Sequence, residues 1–385
     1  MEKIDIQLKN KLIEQFGTSD EKVSLFRAPA RINVIGEHVD YLGGYVLPAA
    51  IDFQVCVAIR KNSSGKINLY SEQYKESVSI EKPSYDKKHL WANYVYGVIE
   101  ELTKSGFKLQ GFDMTIDGNI PQGAGLSSSA ALEVVTGFAL SSLFDFSISR
   151  EKIALIGQAA ENNFVGMKCG IMDQFIIANG KKDQCILLNT DTLTKTYHTL
   201  DLKDHEFYLI NSNVKHSLQD SDYNNRRKEC DDALKKIQSK MPEIKNIYDL
   251  PVATNLSEFA FSNKEENRVK HVLGEKDRTN KLLDSFAKGS LSIAGECLYG
   301  THDSLSKLFE VSCDETDFLV DSLKKENVTG ARMIGGGFGG SILVLDRKGN
   351  RISLEEKIKK QYYEKFKLAA TFYGFQISDG VSELQ

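Results

Sequence analysis

The segment 112–144 constrains this chain more than any other. FDMTID (112–117) alternates strictly, with Phe112, Met114 and Ile116 on one face and Asp113, Thr115 and Asp117 on the other, the period of a half-buried strand. The loop GNIPQGAGLSSS follows, then AALEVVTGFALSSLF, whose apolar residues cover most of a helical circumference and so predict a buried helix. A strand feeding a buried helix through a glycine-bearing loop calls for a sheet with helices packed on it. Gly123 and Gly125 permit left-handed backbone, and Ser127, Ser128 and Ser129 stand at the helix start. There a serine can cap, and exposed N–H groups together with the helix dipole favour an anion. The loop reads as a phosphate cradle or as a plain serine-capped connection. No G-x-x-x-x-G-K-[ST] run occurs and the loop has no lysine. A nucleotide bound here would therefore rest on amides and hydroxyls, with Mg²⁺ on a hydroxyl and a carboxylate.

Two further segments carry chemistry. Five of the six residues Gly335 to Gly340 are glycine. They satisfy G-x-G-x-x-G formally, but a strand follows instead of a helix, which is the wrong context for a dinucleotide fold. The run reads as a glycine-rich hairpin, or as backbone that closely approaches a ligand or another loop. The segment RAPARINVIGEHVDYLGGYVLP (27–48) brings together Arg31, Glu37, His38 and Asp40. Two carboxylates and an imidazole suit a polyol, whose hydroxyls each need a donor and an acceptor. A metal reading of His38 and Asp40 offers only two ligands, and a solvated polar turn is the bland alternative.

The rest of the chain supplies organisation. Val46–Arg60 is apolar and β-branched and reads as a region of paired strands, with a turn at Lys61–Lys66 and a returning strand from Ile67 to Tyr70. Trp91–Leu102 has helical spacing, Arg150–Phe164 is a second helix with Gly166 as its stop, and residues 216–325 are charged and helical in period. Ala331–Ile334 leads into the glycine run, and Ser341–Asp346 is a strand. With 385 residues the chain is long enough for two domains, placed at 1–200 and 201–385, with the last strand a candidate to return to the first. Only six prolines occur, so stiff linkers are few and the halves should pack together. A 41% hydrophobic and 26% charged composition argues against disorder, and a net charge of −4 offers no footprint for nucleic acid. The N-terminus lacks an apolar core, no run is long enough for a bilayer, and six cysteines without a Cys-x-x-Cys pair read as buried thiols. The expectation is a cytoplasmic protein without membrane or nucleic-acid partners.

Taken together in chain order, the three segments resemble the three motifs of the GHMP small-molecule kinases. RAPARINVIGEHVDYLGGYVLP narrows the resemblance to the galactokinase family. Similarity continues through WANYVYGVI, GNIPQGAGLSSSAALE, AAENNFVGMKCGIMDQF, INSNVKHSLQDSDYNNRRKEC, RVKHVLGEKDRT, VSCDETDFLV and GARMIGGGFGG. The resemblance implies an α+β, two-domain GHMP kinase fold, with a ribosomal-protein-S5-like N-terminal domain, a ferredoxin-like α/β C-terminal domain and the active site in the cleft between them. It implies ATP-dependent phosphorylation of α-D-galactose at the 1-hydroxyl, with ATP and Mg²⁺ required, by a monomer.

The same resemblance implies the site. Asp173 matches the catalytic aspartate beside the anomeric hydroxyl, and Arg31 its partner, which stabilises charge on the transferred phosphoryl group. Glu37, His38 and Asp40 match ligands of sugar hydroxyls, and Val39, where the family commonly has threonine, belongs to the same substrate-binding run. Tyr223 matches a tyrosine of the sugar pocket. Gly123, Ala124, Gly125, Leu126, Ser127, Ser128 and Ser129 match the ATP phosphate loop, and Ser71 a further nucleotide contact. Ser129 and Glu161 match the Mg²⁺ positions. The residues that hold the adenine ring are not assigned; Trp91, Asn93 and Tyr94 lie in a segment worth checking for them. The chain departs from the family at Ala30, a common glycine position, and at Ile334 and Ser341. The alternatives are a related sugar 1-kinase acting on N-acetylgalactosamine or arabinose, and a non-catalytic galactose sensor. Known sensors of that kind lack a Ser-Ala pair that is intact here as Ser129-Ala130.

Overall fold

The computed structural model describes residues 2–214 and 219–384; residues 215–218, within INSNVKHSLQDSDYNNRRKEC, lie outside the described residues. A six-stranded sheet is built mainly from the first half. Its centre is strand Ser24–Asn33 antiparallel to Pro48–Lys61, which in turn pairs with Phe112–Gly118. The hairpin Ile67–Ser71 and Glu76–Ile80 extends one edge. On the other edge Ser382–Leu384 pairs with Ser24–Asn33, so the end of the chain returns to the first sheet.

Phe112, Met114 and Ile116 pack under helices Ala92–Lys104, Ser128–Leu143, Arg150–Ala160 and Met172–Asn179 in one apolar core. The opposite face of Phe112–Gly118 is not solvated as its alternation predicts. Helix Glu2–Phe16 covers it, with Leu8 and Leu12 buried against Leu25, Cys56 and Ala58. Thr115 donates to the Leu8 carbonyl at 3.2 Å, and Asp113 is buried in an ion pair with Arg60 at 2.9 Å. A buried charge beneath a helix is tolerable because Asn62 and Asn68 donate to its other oxygen, each at 2.8 Å. The region 46–60 is likewise one long strand, Pro48–Lys61, preceded by the short Tyr45–Val46; the latter joins Gln184–Asn189 and Lys195–Thr199 in a separate three-stranded sheet.

The second half holds a four-stranded sheet in the order Gly330–Met333, Ser341–Arg347, His205–Asn211, Thr371–Gly374. Tyr208, Ile210, Ile342 and Val344 face helices Asp314–Lys325 and Asn350–Phe366. Leu209, Leu343 and Leu345 face the other way, into the large core shared with Val269, Val272 and Leu298 of helices Asn263–Lys288 and Leu291–Ser304. That core runs unbroken from one sheet to the other, so the halves are packed together around the cleft.

Candidate active site

Three segments meet at the cleft. The loop after Phe112–Gly118 carries left-handed residues at Gly123 (φ 69°), Gly125 (φ 70°) and Ser127 (φ 63°). Left-handed residues alternating with ordinary ones turn N–H groups into one concavity, the geometry of an anion nest. Ala124 and Leu126, the residues between, bury their side chains in the core. Their contribution to a ligand is therefore backbone. Ser127 stands at the head of helix Ser128–Leu143, but its hydroxyl makes no cap. It donates instead to Asp173 Oδ2. A left-handed cap residue points its side chain away from the helix N–H groups, which frees it for the site.

The Gly335–Gly340 run packs on this loop. Gly335 (φ 79°), Gly337 (φ 89°) and Gly340 (φ 72°) are left-handed, and a Cβ on Gly335 would come within 3.0 Å of the Gly125 carbonyl. Of the two readings of this run, close approach to another loop describes it.

Arg31 lies on strand Ser24–Asn33, just past a bulge between Pro29 and Ala30. Ala30 is fully buried and is not left-handed, so the family's common glycine is not needed there. Arg31 is 3% exposed and grips Asp173 with both arms of its guanidinium, Nε to Oδ1 at 2.7 Å and Nη2 to Oδ2 at 2.8 Å. Nη1 donates to the Gly125 carbonyl at 2.7 Å, tying the pair to the Gly123–Ser129 loop. Asp173 sits in the first turn of helix Met172–Asn179, where the helix dipole favours a carboxylate.

Together with Glu37, His38, Asp40, Ser127–Ser129, Glu161 and Tyr223, these residues line a cavity of about 240 Å³. His38 is held between rings, with centroids 4.8 Å from Phe309 and 5.4 Å from Tyr223, and its Nδ1 is 3.0 Å from the Tyr41 hydroxyl. Burial, and then neighbouring His271, push its pKa down to about 3, so its imidazole is neutral. Asp40 is raised to about 7, first by burial and then by the charges of Asp173 and Glu37. A Cβ on Gly170 would lie 2.0 Å from Asp40 Oδ2, so only glycine admits that carboxylate. Burial also raises Glu37, opposed by the charge of Arg332, which contacts it at 2.5 Å.

Val39 departs from expectation. Its side chain is fully buried and turned against Gly44, and it does not line the cavity. A β-branched apolar side chain facing the core has nothing to offer a sugar hydroxyl.

Helix Arg150–Ala160 passes into a π-turn at Glu161–Val165 that ends at Gly166 (φ 98°), a local irregularity placed at a site residue. Glu161 is hydrogen-bonded to Ser129 and Cys169, and burial followed by the charge of Asp173 raises it to about 7. Behind it, the Gln174 amide donates to Glu161 at 2.7 Å and to fully buried Glu133 at 2.9 Å. All six cysteines are free thiols; four are buried, and Cys169 and Cys313 are partly exposed.

A second cavity of about 330 Å³ shares Ser128 and Ser129 with the first and is lined by Ser71, Tyr74, Leu90, Trp91, Tyr94 and Leu132. Tyr74 and Trp91 lie nearly parallel, 8° apart with centroids at 6.3 Å, and the Trp91 indole donates to Glu76 at 2.9 Å. Ser71, Trp91 and Tyr94 thus sit beside Ser128 and Ser129 but apart from Asp173. Asn93 does not line the cavity; its side chain braces the turn at Asp86.

Sequence reasoning missed Arg332, Gln174, Glu133 and Gly170. Arg332 had a signal: an arginine inside the apolar strand Gly330–Met333 is a buried charge in need of a partner. Gln174 and Glu133 sit on buried helices and had no pattern to mark them.

The fold and these three loops define a GHMP small-molecule kinase. The GHMP kinases N-terminal domain model matches residues 93–181 and the GHMP kinases C-terminal model residues 282–364. The mevalonate kinase of Methanococcus jannaschii superposes with a TM-score of 0.63 at 17% identity over 94% of this chain and 100% of its own, a likeness of fold alone. Within that class the chain belongs to the galactokinase family. The galactokinase galactose-binding signature matches residues 10–61. The galactokinase of Thermosipho africanus is 44% identical over 360 residues, 93% of this chain and 99% of its own. The galactokinase of Lactococcus lactis, solved with galactose, superposes with a TM-score of 0.95 at 34% identity, covering 99% of this chain and 100% of its own. The chain is therefore an ATP-using kinase. Among the described residues, no helix is long and apolar enough to cross a membrane.

Proposed function

We propose that this chain transfers the γ-phosphoryl group of ATP to the 1-hydroxyl of α-D-galactose, giving galactose 1-phosphate and ADP. The observation that carries the assignment of roles is the Arg31–Asp173 fork tied to the Gly125 carbonyl, because it sets a carboxylate and a cation beside the phosphate nest. Phosphoryl transfer needs in-line positioning and charge neutralisation more than covalent help. Asp173 orients the 1-hydroxyl and takes its proton as the new O–P bond forms and the bond to ADP breaks. Arg31 meets the charge on the transferring group. Amides of the Gly123–Ser129 loop hold the phosphates, and the Trp91–Tyr94 cavity receives the adenine, with Ser71 at its wall.

Glu37, His38 and Asp40 read the sugar hydroxyls, with Tyr223 as a pocket wall. A neutral His38 can donate from one nitrogen and accept at the other. Such buried polar groups reject an epimer because the wrong sugar leaves them unpaired.

The Ser129 hydroxyl and the Glu161 carboxylate are hard oxygen donors already in contact, a fit for Mg²⁺. Among the described residues no group of three or more His, Cys, Asp or Glu could hold a metal. Ser129 and Glu161 would hold the cation, which would supply charge neutralisation at the phosphates. Action as a monomer, with the halves divided near residue 200, belongs to the same reading. The cytoplasm is the proposed compartment. Asp173→Asn tests the central role: with folding and galactose binding retained, turnover is expected to fall at least about 100-fold. Near-wild-type turnover would remove Asp173 from the mechanism.

A further inference from the structure

Glu37 is held at three points by residues of the second half of the chain, none of which lines the sugar cavity. Its carboxylate accepts from Arg332 Nη2 at 2.5 Å. Its carbonyl lies 3.0 Å from His271 Nε2. Its amide donates to Glu275 Oε2 at 3.2 Å, and the neighbouring Gly36 amide reaches the same oxygen at 3.0 Å. Arg332, His271 and Glu275 are each fully buried.

The chemistry of each contact is determined. A carbonyl only accepts, so His271 Nε2 carries the proton and Nδ1 accepts from the Ser304 hydroxyl at 2.8 Å. That arrangement needs a neutral ring, and burial, outweighing the charge of Glu275, holds His271 down to about 4. Glu275 must be anionic to accept four donors. Burial opposes this, but Arg278 overcomes it, at 2.7 Å on Oε1 where Thr301 also donates, and the pKa falls to about 2. His271 and Glu275 are four residues apart on helix Asn263–Lys288, so both project from one face, toward the loop.

The loop needs such support. Gly36 (φ 89°) and His38 (φ 57°) flank Glu37 in left-handed conformations. A left-handed non-glycine residue persists only where its surroundings over-determine it. His38 and Glu37 are the side chains offered to the sugar.

We propose that Arg332, His271 and Glu275 are positioning residues that set the affinity for the sugar by fixing the Glu37–His38 loop from the second half of the chain. This rests on the galactose reading above. The RVKHVLGEKDRT stretch thereby acquires a role, as the clamp behind the sugar loop.

The test is ADP release by the full chain, varying galactose and ATP in turn, with melting temperature recorded for each protein. The wild type must first turn over galactose; if it does not, the functional reading has failed, whatever the variants do. Against that reference, His271→Leu removes the donor and is expected to raise KM for galactose about tenfold or more, with kcat and KM for ATP within about threefold. His271→Gln restores a donor and should bring the galactose KM back to within about threefold of wild type. Glu275→Gln should behave like His271→Leu, and the His271 pair decides the matter should that variant not fold. A lowered melting temperature with unchanged galactose KM, or equal rises in both KM values, would show a merely structural role and overturn the proposal.

Discussion

The Arg31–Asp173 fork makes a quantitative prediction through a double-mutant cycle. Arg31 is 3% exposed, while the Asp173 side chain keeps about 27% of its surface open to the cavity. Arg31→Met leaves that carboxylate with the Ser127 hydroxyl as its side-chain donor. Asp173→Asn leaves a buried guanidinium that still feels Glu37 and Asp40. A broken buried pair costs about 3–5 kcal/mol, and partial exposure of Asp173 places each single variant near the lower end, about 3 kcal/mol. The double variant loses the charge-assisted fork but strands no charge, so it too should cost only about 3–4 kcal/mol. The coupling energy is then about 2 kcal/mol or more. Urea unfolding can be followed by fluorescence of Trp91, the single tryptophan, which lies under the same sheet as Arg31. Activity should be as non-additive: each single variant falls about 10²- to 10³-fold, and the double variant falls little further. Additive unfolding energies, with coupling below about 0.5 kcal/mol, would refute the claim that the two residues act as one unit.

Three other outcomes follow from the site. Asp40 is raised to about 7 from an ordinary 3.8, so between those values the folded chain keeps a proton that the unfolded chain has lost. Its contribution to stability is therefore present at low pH and is lost as pH rises through about 7. Asp40→Asn should add about 1–2 kcal/mol more stability at pH 8 than at pH 5.5, after allowing for solvent in the cavity, and an equal gain at both would contradict the assignment. Binding of ATP without sugar should change Trp91 fluorescence through the second cavity, whereas galactose alone should not; the reverse would exchange the two cavities. Glu161→Gln should raise the Mg²⁺ concentration needed to tighten ADP binding, read by the same fluorescence, by about tenfold or more, and no change would remove Glu161 from the metal site.

Much of this site was legible because its chemistry resides in short runs. Gly123 and Gly125 marked a loop with left-handed backbone, which the structure has, and Arg31, Glu37, His38 and Asp40 stand close in the chain. What was hidden depends on long-range pairing. Among the described side chains of helix Glu2–Phe16, Leu8 and Leu12 are the buried pair, too sparse a stripe to stand out among charges, yet the helix covers the face on which Asp113 appears solvated. The π-turn at Glu161 has no local signature. Val39 lies within a polar run, and only the packing of Gly44 against it reveals that its side chain belongs to the core. Glu133 and Gln174 meet Glu161 from two other helices, a convergence that no spacing along the chain encodes.

The central claim is tested most directly by incubating the wild-type protein with ATP, Mg²⁺ and, separately, galactose, N-acetylgalactosamine and arabinose, while following ADP and identifying the sugar product. The account predicts ADP in equal amount to a galactose ester phosphorylated at the 1-position, with galactose preferred over the other two sugars. Absence of ADP with galactose, phosphorylation at another hydroxyl, or faster turnover of either analogue would contradict it.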